Sequence, residues 1–328
     1  MKKVLRIILI SVVITIVVTF VITTIQTARG VFAGTMYMSE PVDHDEIPYE
    51  YYEPYGFDYD AFVKKHQVET FTLTSTYDGH DIPVDYIYAE GASDKDQNTV
   101  ILAHGLGSNR KMVYPVAEVF LDNGYNVLAF DQRSQGENQA KYTTFGFLDK
   151  YDLKDCADYV REQSTDKKLG LFGTSYGGLT TILAAFDNEL GVSEHTDFVV
   201  LDCPISNMKE EITYIMNTNE DIKKIPLPVG YMVWAGGLAY RAKFGFSYAD
   251  VDGRKAMEDS TKADFPILIF NSGKDDMTPP NMGKDLAASF KGEGKHLVVF
   301  DDCGHMDGLK KHPDEYKEAV KDLLDEVK

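Results

Sequence analysis

Gly173-Thr174-Ser175-Tyr176-Gly177-Gly178 joins an apolar, strand-like run at 168–172 to a helix-like segment at 176–187. Such a tight turn needs small neighbours, and Gly173 and Gly177 leave room for backbones that would otherwise clash. Ser175 can therefore project above the sheet, close to the free N–H groups that begin the new helix. The pattern predicts that Ser175 is a nucleophile.

A serine hydroxyl is a weak nucleophile until a base takes its proton, so a histidine and an orienting carboxylate are required. The loop after the apolar run 265–270 carries Asp275, and the loop after the next run carries His305. Serine, acid and histidine then follow in the chain order of a known hydrolase arrangement. We predict His305 as the base and Asp275 as the acid. A shift of one residue selects Asp276 instead, and Asp202 at the end of an earlier run is a third candidate.

Short runs rich in Val, Ile, Leu and Phe recur along the chain and alternate with helix-like segments. Continuous apolar runs are typical of strands buried on both faces, which belong to parallel sheets. Before them, residues 68–89 alternate around a turn at 77–80 and predict an antiparallel hairpin. The fold class is therefore α/β, with a mostly parallel, doubly wound sheet. The parallel runs are 99–103, 126–130, 168–172, 198–201, 265–270 and 296–300.

One interval, about 204–262, contains no convincing buried strand but many large apolar residues. We interpret it as a small helical cap inserted into the domain. Insertions at the carboxyl end of a sheet shape the crevice where ligands bind, so Met232 and Trp234 are assigned to a substrate pocket. The alternative is that these side chains fill the core of the cap itself.

The N-terminus carries basic residues at positions 2, 3 and 6, followed by an apolar run at 7–25. This length spans a bilayer, and basic residues before the run place the N-terminus inside the cell and the body outside. We predict a transmembrane anchor at 1–30, a juxtamembrane spacer at 31–67 and a domain at 68–328. The alternative is a secretory signal cleaved near Val31-Phe32-Ala33.

The composition excludes several classes of partner. With 33 basic and 52 acidic residues the formal charge is −19, so the protein would repel nucleic acid. The three cysteines, Cys156, Cys203 and Cys303, are too few for a disulfide framework and form no zinc motif. We expect no metal and no cofactor, and the sequence leaves the oligomeric state open.

Two further motifs connect the chain with a known family. Val100-Ile101-Leu102-Ala103-His104-Gly105 is similar to an oxyanion strand and its HG turn, and Asp131-Gln132-Arg133-Ser134-Gln135-Gly136 is similar to a D-x-R-x-x-G loop. With the serine turn, they resemble the α/β-hydrolase superfamily, and within it bacterial serine esterases and the serine aminopeptidase-like group. The resemblance runs from about Val68 to the C-terminus. Ser134-Gln135 replaces the more usual Gly-His, so this loop says nothing about the substrate.

The resemblance implies that the backbone amides of Leu106 and Tyr176 form an oxyanion hole. It also implies structural roles for His104, Asp131 and Arg133. The reaction that it implies is the hydrolysis of a small-molecule ester through an acyl-enzyme, without a cofactor. Two alternatives stay open. One is a serine aminopeptidase, which needs acidic groups in the cap to bind the free amine of its substrate. The other is a non-catalytic module that serves for binding at the cell surface. Candidates for the amine site are Glu210, Glu211, Glu220 and Asp221.

Overall fold

A computed structural model describes residues 2–36 and 47–327 of the chain. Its centre is an eight-stranded sheet in the order β1-β2-β4-β3-β5-β6-β7-β8. The pairs β1–β2 and β2–β4 are antiparallel, and the other neighbouring pairs are parallel. The strands are β1 Val68–Thr74, β2 Asp81–Ile87, β3 Thr99–Ala103, β4 Asn126–Phe130, β5 Leu169–Thr174, β6 Phe198–Asp202, β7 Ile267–Ser272 and β8 Lys295–Phe300.

Helices connect the parallel strands and cover both faces of the sheet. Short 3-10 helices occur at Glu53–Tyr55, Arg110–Val113, Val192–His195, Ile222–Lys224 and Tyr248–Asp250. The α-helices are α1 Lys2–Met36, α2 Tyr49–Tyr52, α3 Tyr59–Lys65, α4 Tyr114–Leu121, α5 Asp149–Gln163, α6 Tyr176–Ala185, α7 Met208–Thr218, α8 Val229–Phe244, α9 Gly253–Asp259, α10 Met282–Ser289, α11 Gly308–Lys311 and α12 Pro313–Glu326.

Strand β3 shows why the sheet is apolar on both sides. Val100 and Leu102 pack into the core beneath α4 and α12, while Ile101 and Ala103 pack into the core beneath α5, α6 and α10. Successive side chains of a strand point to opposite faces, so a strand covered on both faces must be a continuous apolar run. The predicted α/β fold with its N-terminal hairpin is confirmed.

The core also includes residues that precede the hairpin. Tyr52 and Phe62 are buried in the cluster under α4, and the Tyr52 hydroxyl donates a hydrogen bond to the carbonyl of Lys111 at 2.8 Å. The hydrophobic core of the domain therefore includes residues before 68, which belong to the predicted spacer 31–67. The rest of that segment, 37–46, lies outside the described residues.

The interval 204–262 forms helices α7, α8 and α9 between β6 and β7, and none of its described residues joins the sheet. The C-terminal part of α1 packs on this cap. Thr24 Oγ1 lies 2.7 Å from the Tyr231 hydroxyl, and the Phe32 ring centroid lies 5.6 Å from that of Tyr240. The apolar side chains of 4–22 are exposed, and α1 is long and apolar enough to cross a membrane.

Candidate active site

Ser175 lies on the turn between β5 and α6 in a conformation that non-glycine residues rarely adopt, with φ 53° and ψ −116°. Its backbone is held on both sides, since its N–H donates to the carbonyl of Asp202 at 2.9 Å and its carbonyl accepts from Ile205 at 3.1 Å. A Cβ on Gly173 would overlap the carbonyl oxygen of Gly177. Strain of this kind persists only where the surroundings enforce it, and it concentrates at functional sites.

The imidazole of His305 is oriented by Asp275. His305 Nδ1 lies 2.7 Å from Asp275 Oδ2, and the other oxygen of this carboxylate accepts from the amides of Met277 at 3.0 Å and Thr278 at 2.9 Å. Burial alone would raise the pKa of Asp275, but the hydrogen bonds from His305 and the loop amides outweigh it and hold that pKa below its ordinary value. The carboxylate is therefore ionised at neutral pH.

The other two acid candidates lie elsewhere. Asp276 is exposed to solvent. Asp202 is buried, and it accepts a hydrogen bond from the Tyr316 hydroxyl at 3.1 Å. Of the three candidates, the structure brings Asp275 into hydrogen-bond contact with His305.

Burial makes Asp202 sensitive to pH. It raises the pKa of this carboxyl to about 6, so the folded state holds a proton that the unfolded chain releases near pH 4. Stability is therefore lost as the pH rises from about 4 to about 6, by an amount on the order of 3 kcal/mol. We expect Asp202→Asn, which still accepts from Tyr316, to remove this loss and to unfold at higher urea concentration than the wild type at pH 8. Equal urea midpoints for the two proteins at pH 8 would contradict the expectation.

Ser175 and His305 line the same cavity, which has a volume of about 350 Å³. Leu106 lines it too, in the turn after β3, and Tyr176 follows the serine as the first residue of α6. Among the described residues, no protein group accepts a hydrogen bond from the backbone N–H of Leu106 or Tyr176. The side chain of Tyr176 points into the protein, where its hydroxyl donates to Asp149 at 3.0 Å.

Met232 and Trp234, both predicted to line the substrate pocket, do not line the cavity of Ser175. Met232 is buried and lines an adjacent cavity between α1 and the cap. Trp234 is 48% exposed and lines a groove on another side of α8. Two residues apart on a helix differ by about 200° in direction, so the two side chains cannot face the same cavity. The prediction that Trp234 lines the substrate pocket is therefore wrong, and Trp234 is a surface residue.

Glu211 on α7 is the residue whose placement the sequence analysis missed. It appeared among four acidic candidates for an amine site, yet it is buried in the wall of the serine cavity. Its Oε2 accepts no hydrogen bond from any described residue, and burial, followed by the negative charge of Asp275, raises its pKa to about 8. The spacing of apolar residues could have indicated this burial. Met208 lies three residues before Glu211 and Ile215 lies four residues after it, so the three share one face of the helix.

The turn that carries Leu106 is held by buried polar groups. Gly107 donates its N–H to Gln135 Oε1 at 2.7 Å, and Arg110 donates its N–H to Asp131 Oδ1 at 2.7 Å. His104 is fully buried, which lowers its pKa, and its Nε2 accepts from the backbone N–H of Gln132 at 3.1 Å. These contacts connect the turn after β3 with the loop after β4.

Metal ligands are available close to the same histidine. The ligand atoms of Cys203, Asp275 and His305 lie within 4.8 Å of one another, and those of Asp302, Cys303 and His312 form a second such group. Burial raises the pKa of Cys203 well above its ordinary value, so its sulfur is a thiol when no ion is bound. His305 Nδ1 is engaged by Asp275 in the first group, and this hydrogen bond accounts for that arrangement without an ion.

A serine on a strained strand-to-helix turn, in a doubly wound sheet with a histidine at the same edge, is the geometry of an α/β-hydrolase. Residues 98–218 match the family model described as the alpha/beta hydrolase fold. The uncharacterized protein YqkD of Bacillus subtilis is 28% identical over 275 residues, covering 82% of this chain and 84% of that protein. The thiohydrolase aneE of Aspergillus aculeatus is 31% identical, over 34% of this chain and 36% of its own length.

Solved structures show the same architecture. The Pyrococcus furiosus esterase Pf2001 superposes with a TM-score of 0.62 at 21% identity, covering 89% of this chain and 98% of that one. Est1E from Butyrivibrio proteoclasticus, solved with ferulic acid bound, gives a TM-score of 0.56 at 19% identity, covering 78% of this chain and 98% of that one. The chain has the α/β-hydrolase fold, and the matched family model supports the α/β-hydrolase superfamily. Its relatives and structural neighbours support a hydrolase.

Proposed function

We propose that the protein is a membrane-anchored serine esterase that cleaves a carboxylic ester through an acyl-enzyme, with Ser175, His305 and Asp275 as its catalytic residues. The observation that carries the proposal is the arrangement of His305. Its Nδ1 contacts the buried, ionised Asp275, and its ring lines the same cavity as the strained Ser175. These contacts support the proposed roles of three groups distant in sequence as nucleophile, base and orienting acid.

In the first step, Ser175 Oγ attacks the ester carbonyl while His305 Nε2 accepts the hydroxyl proton. The imidazolium that forms is stabilised by Asp275, and it then donates the proton to the departing alcohol as the ester C–O bond breaks. A water molecule repeats the sequence on the acyl-enzyme and releases the acid. His305 carries the proton in both halves of this cycle, and Asp275 stabilises its charged form each time.

Charge develops on the carbonyl oxygen in each transition state. The backbone N–H groups of Leu106 and Tyr176 are the proposed donors, because one lies in the cavity wall and the other begins α6 beside the serine. Donors fixed in place before the reaction stabilise this charge without reorganisation, and one such donor contributes about 3 kcal/mol.

We expect the full-length protein in detergent to be labelled by a fluorophosphonate probe, and Ser175→Ala to lose the label, because the probe traps an activated serine. Ser108→Ala is the matched control, since Ser108 lines the same cavity and its loss should leave labelling unchanged. Labelling is read by in-gel fluorescence at equal protein amounts. Equal labelling of wild type and Ser175→Ala would refute the assignment of the nucleophile.

The packing of α1 favours a retained anchor over a cleaved signal. Val31 and Phe32, which lie at the alternative cleavage site, pack against the apolar cluster of the cap. Thr35 Oγ1 lies 3.1 Å from the Tyr248 hydroxyl, and Thr143 Oγ1 donates to the carbonyl of Thr35 at 3.3 Å. Cleavage after Ala33 would remove Val31 and Phe32 from this packing and would leave Thr35 next to a new N-terminus, without the helix that positions it. The proposed topology keeps the N-terminus inside the cell and the hydrolase domain outside, and intact mass spectrometry of the membrane fraction tests whether residues 1–33 remain.

Glu211 favours a second candidate, a serine aminopeptidase. Glu211 Oε2, which accepts no hydrogen bond from the residues that the structure describes, lies in the wall of the cavity of Ser175, where a free amine of a substrate could bind. Its raised pKa leaves it mainly uncharged at pH 7, which weakens this candidate relative to the esterase. Competing panels of p-nitrophenyl esters and aminoacyl-naphthylamides separate the two functions. A folded protein that turns over neither panel and takes no probe would indicate a non-catalytic surface module.

A further inference from the structure

A second cavity, of about 480 Å³, lies beside the cavity of Ser175, between α1 and the cap, and it is partly open to solvent. The two cavities share Leu106, Phe145 and Ile215 as lining residues, so the second one continues from the first. Its volume lies within the usual range for small-molecule sites. A substrate held at Ser175 therefore has an adjoining space that the ester group itself does not fill.

The walls of this second cavity are mainly apolar. From the cap come Ile212, Met216 and Met232, and from α1 come Gly30 and Gly34. A Cβ added at either glycine would meet no atom within 4 Å, so α1 presents bare backbone to open space there. A helix that follows a membrane span would ordinarily favour larger residues, which have higher helix propensity than glycine. The two glycines widen the cavity along the anchor.

The cap carries aromatic and apolar residues that are typical of a membrane interface, both beside α1 and on the exposed side of α8. The Tyr231 ring centroid lies 6.2 Å from that of Phe20, at the end of the exposed apolar part of α1. On the same cap helix, Trp234 and Leu238 are exposed, and Ile225 is exposed in the segment before it. Tyrosine and tryptophan concentrate at the headgroup level of membranes. With α1 spanning the membrane as proposed above, the second cavity would lie close to the bilayer surface.

We propose that α1 is a wall of an acyl-chain pocket, and that the substrate class is an ester of a long-chain fatty acid taken from the membrane surface. This proposal rests on the esterase function proposed above. The acyl chain occupies the cavity between α1 and the cap, which brings its carbonyl carbon beside Ser175. Ser175 Oγ then forms the new ester bond, the alcohol leaves with the proton carried by His305, and water later releases the fatty acid.

The occupant follows from the chemistry of the walls. A saturated chain gains free energy for each methylene removed from water and makes no demand for hydrogen bonds. This suits walls that are formed mainly by apolar side chains and two glycines, with Gln26, Thr27, Thr35 and Thr143 as the polar part of the lining. A peptide or sugar would leave polar groups unpaired there, at considerable cost. With a formal charge of −19 the protein also gains nothing from a polyanionic ligand.

The test uses the full-length protein in nanodiscs of phosphatidylcholine and phosphatidylglycerol, with p-nitrophenyl acetate, butyrate, octanoate and dodecanoate as probes. Gly30→Leu and Gly34→Leu fill the cavity, and Ala33→Leu adds a side chain to an exposed position of α1 that does not line it. Gly30→Ala is the mild version, and circular dichroism checks that each variant is folded.

We expect wild-type kcat/KM to rise by roughly fourfold per methylene until the cavity is filled. Gly30→Leu and Gly34→Leu should lower kcat/KM for dodecanoate by about tenfold or more while changing that for acetate by less than about twofold. Gly30→Ala should have a smaller effect in the same direction, and Ala33→Leu should match the wild type. The kcat/KM for the acetate ester measures the state of the catalytic residues. The ratio of kcat/KM for dodecanoate to that for acetate measures the contribution of the pocket.

Two results would overturn the proposal while leaving the esterase intact. One is a wild type that cleaves acetate and dodecanoate equally well, and the other is a folded Gly30→Leu and Gly34→Leu pair with the wild-type chain-length profile. An equal loss on all four esters would assign the glycines to folding rather than to the pocket. By contrast, a wild type without turnover of any ester and without fluorophosphonate labelling would overturn the esterase function and, with it, the pocket.

Discussion

Replacing Asp275 with asparagine is expected to lower kcat by about four orders of magnitude with little change in the fold. The asparagine oxygen can still accept from the amides of Met277 and Thr278, so the loop is retained. Its NH₂ group would then face Nδ1 of His305 and donate to it. That bond selects the tautomer with the proton on Nε2, and such an imidazole cannot accept the proton of Ser175.

Asp276→Asn is the matched control, because it makes the same chemical change one residue away on an exposed side chain. It should retain kcat within about twofold, since exposed substitutions rarely disturb a site. The measurement is steady-state hydrolysis of p-nitrophenyl acetate, together with the rate of fluorophosphonate labelling. A large loss in Asp276→Asn with little loss in Asp275→Asn would move the acid to the neighbouring residue.

The pH profile of kcat is a further check on Asp275. Because its pKa is held below the ordinary aspartate value, the carboxylate stays ionised over the range in which the rate is measured. Any acid limb near neutral pH must then belong to another group. The interaction between Asp275 and His305 contributes stability above pH about 4 and loses it as the pH falls through the lowered pKa.

The sheet could be predicted because its chemistry is local. Strands buried on both faces must be continuous apolar runs, and the predicted runs agree with the observed strands to within about two residues. The Ser175 turn was equally readable, since glycines at 173 and 177 are required by close backbone contacts. The choice between Asp275 and Asp276 could not be settled from the sequence. A loop has no regular spacing of apolar residues, and a shift of one residue decides which carboxylate contacts His305.

Other features depend on contacts between distant segments. The aromatic residues of 47–65 show no period, so nothing local indicated that Tyr52 and Phe62 are buried under α4. Helix α8 carries apolar residues and glycines all around, and without a polar stripe the directions of Met232 and Trp234 could not be assigned. Nothing in the sequence indicated that Arg110 is buried, although it is the cation at the centre of a buried acidic cluster.

Arg110→Met is expected to destabilise the folded state by about 3–5 kcal/mol, measured as the free energy of unfolding in urea. Arg110 Nε lies 3.0 Å from Asp85 Oδ2, and its guanidinium also contacts Asp131 and Glu137. Burial alone would lower the pKa of Arg110, but these carboxylates outweigh it and raise that pKa, so the cation is fixed. Methionine keeps the apolar stem and removes the charge, which leaves the buried Asp85 and Asp131 without their cation.

Lys262→Met is the control, because Lys262 forms an exposed ion pair with Glu194 at 2.7 Å, and such pairs contribute about 1 kcal/mol or less. A change of less than about 1 kcal/mol in Arg110→Met would show that water reaches the cluster and screens it. The same substitution should lower hydrolysis of p-nitrophenyl acetate by the protein that remains folded. The guanidinium of Arg110 contacts Asp131, and this carboxylate accepts the backbone N–H of residue 110 in the turn that carries Leu106, so losing the guanidinium frees Asp131 to move. We therefore expect one buried cation to couple the stability of the fold to the geometry of the proposed oxyanion hole, and measuring unfolding and hydrolysis in a single variant tests that coupling directly.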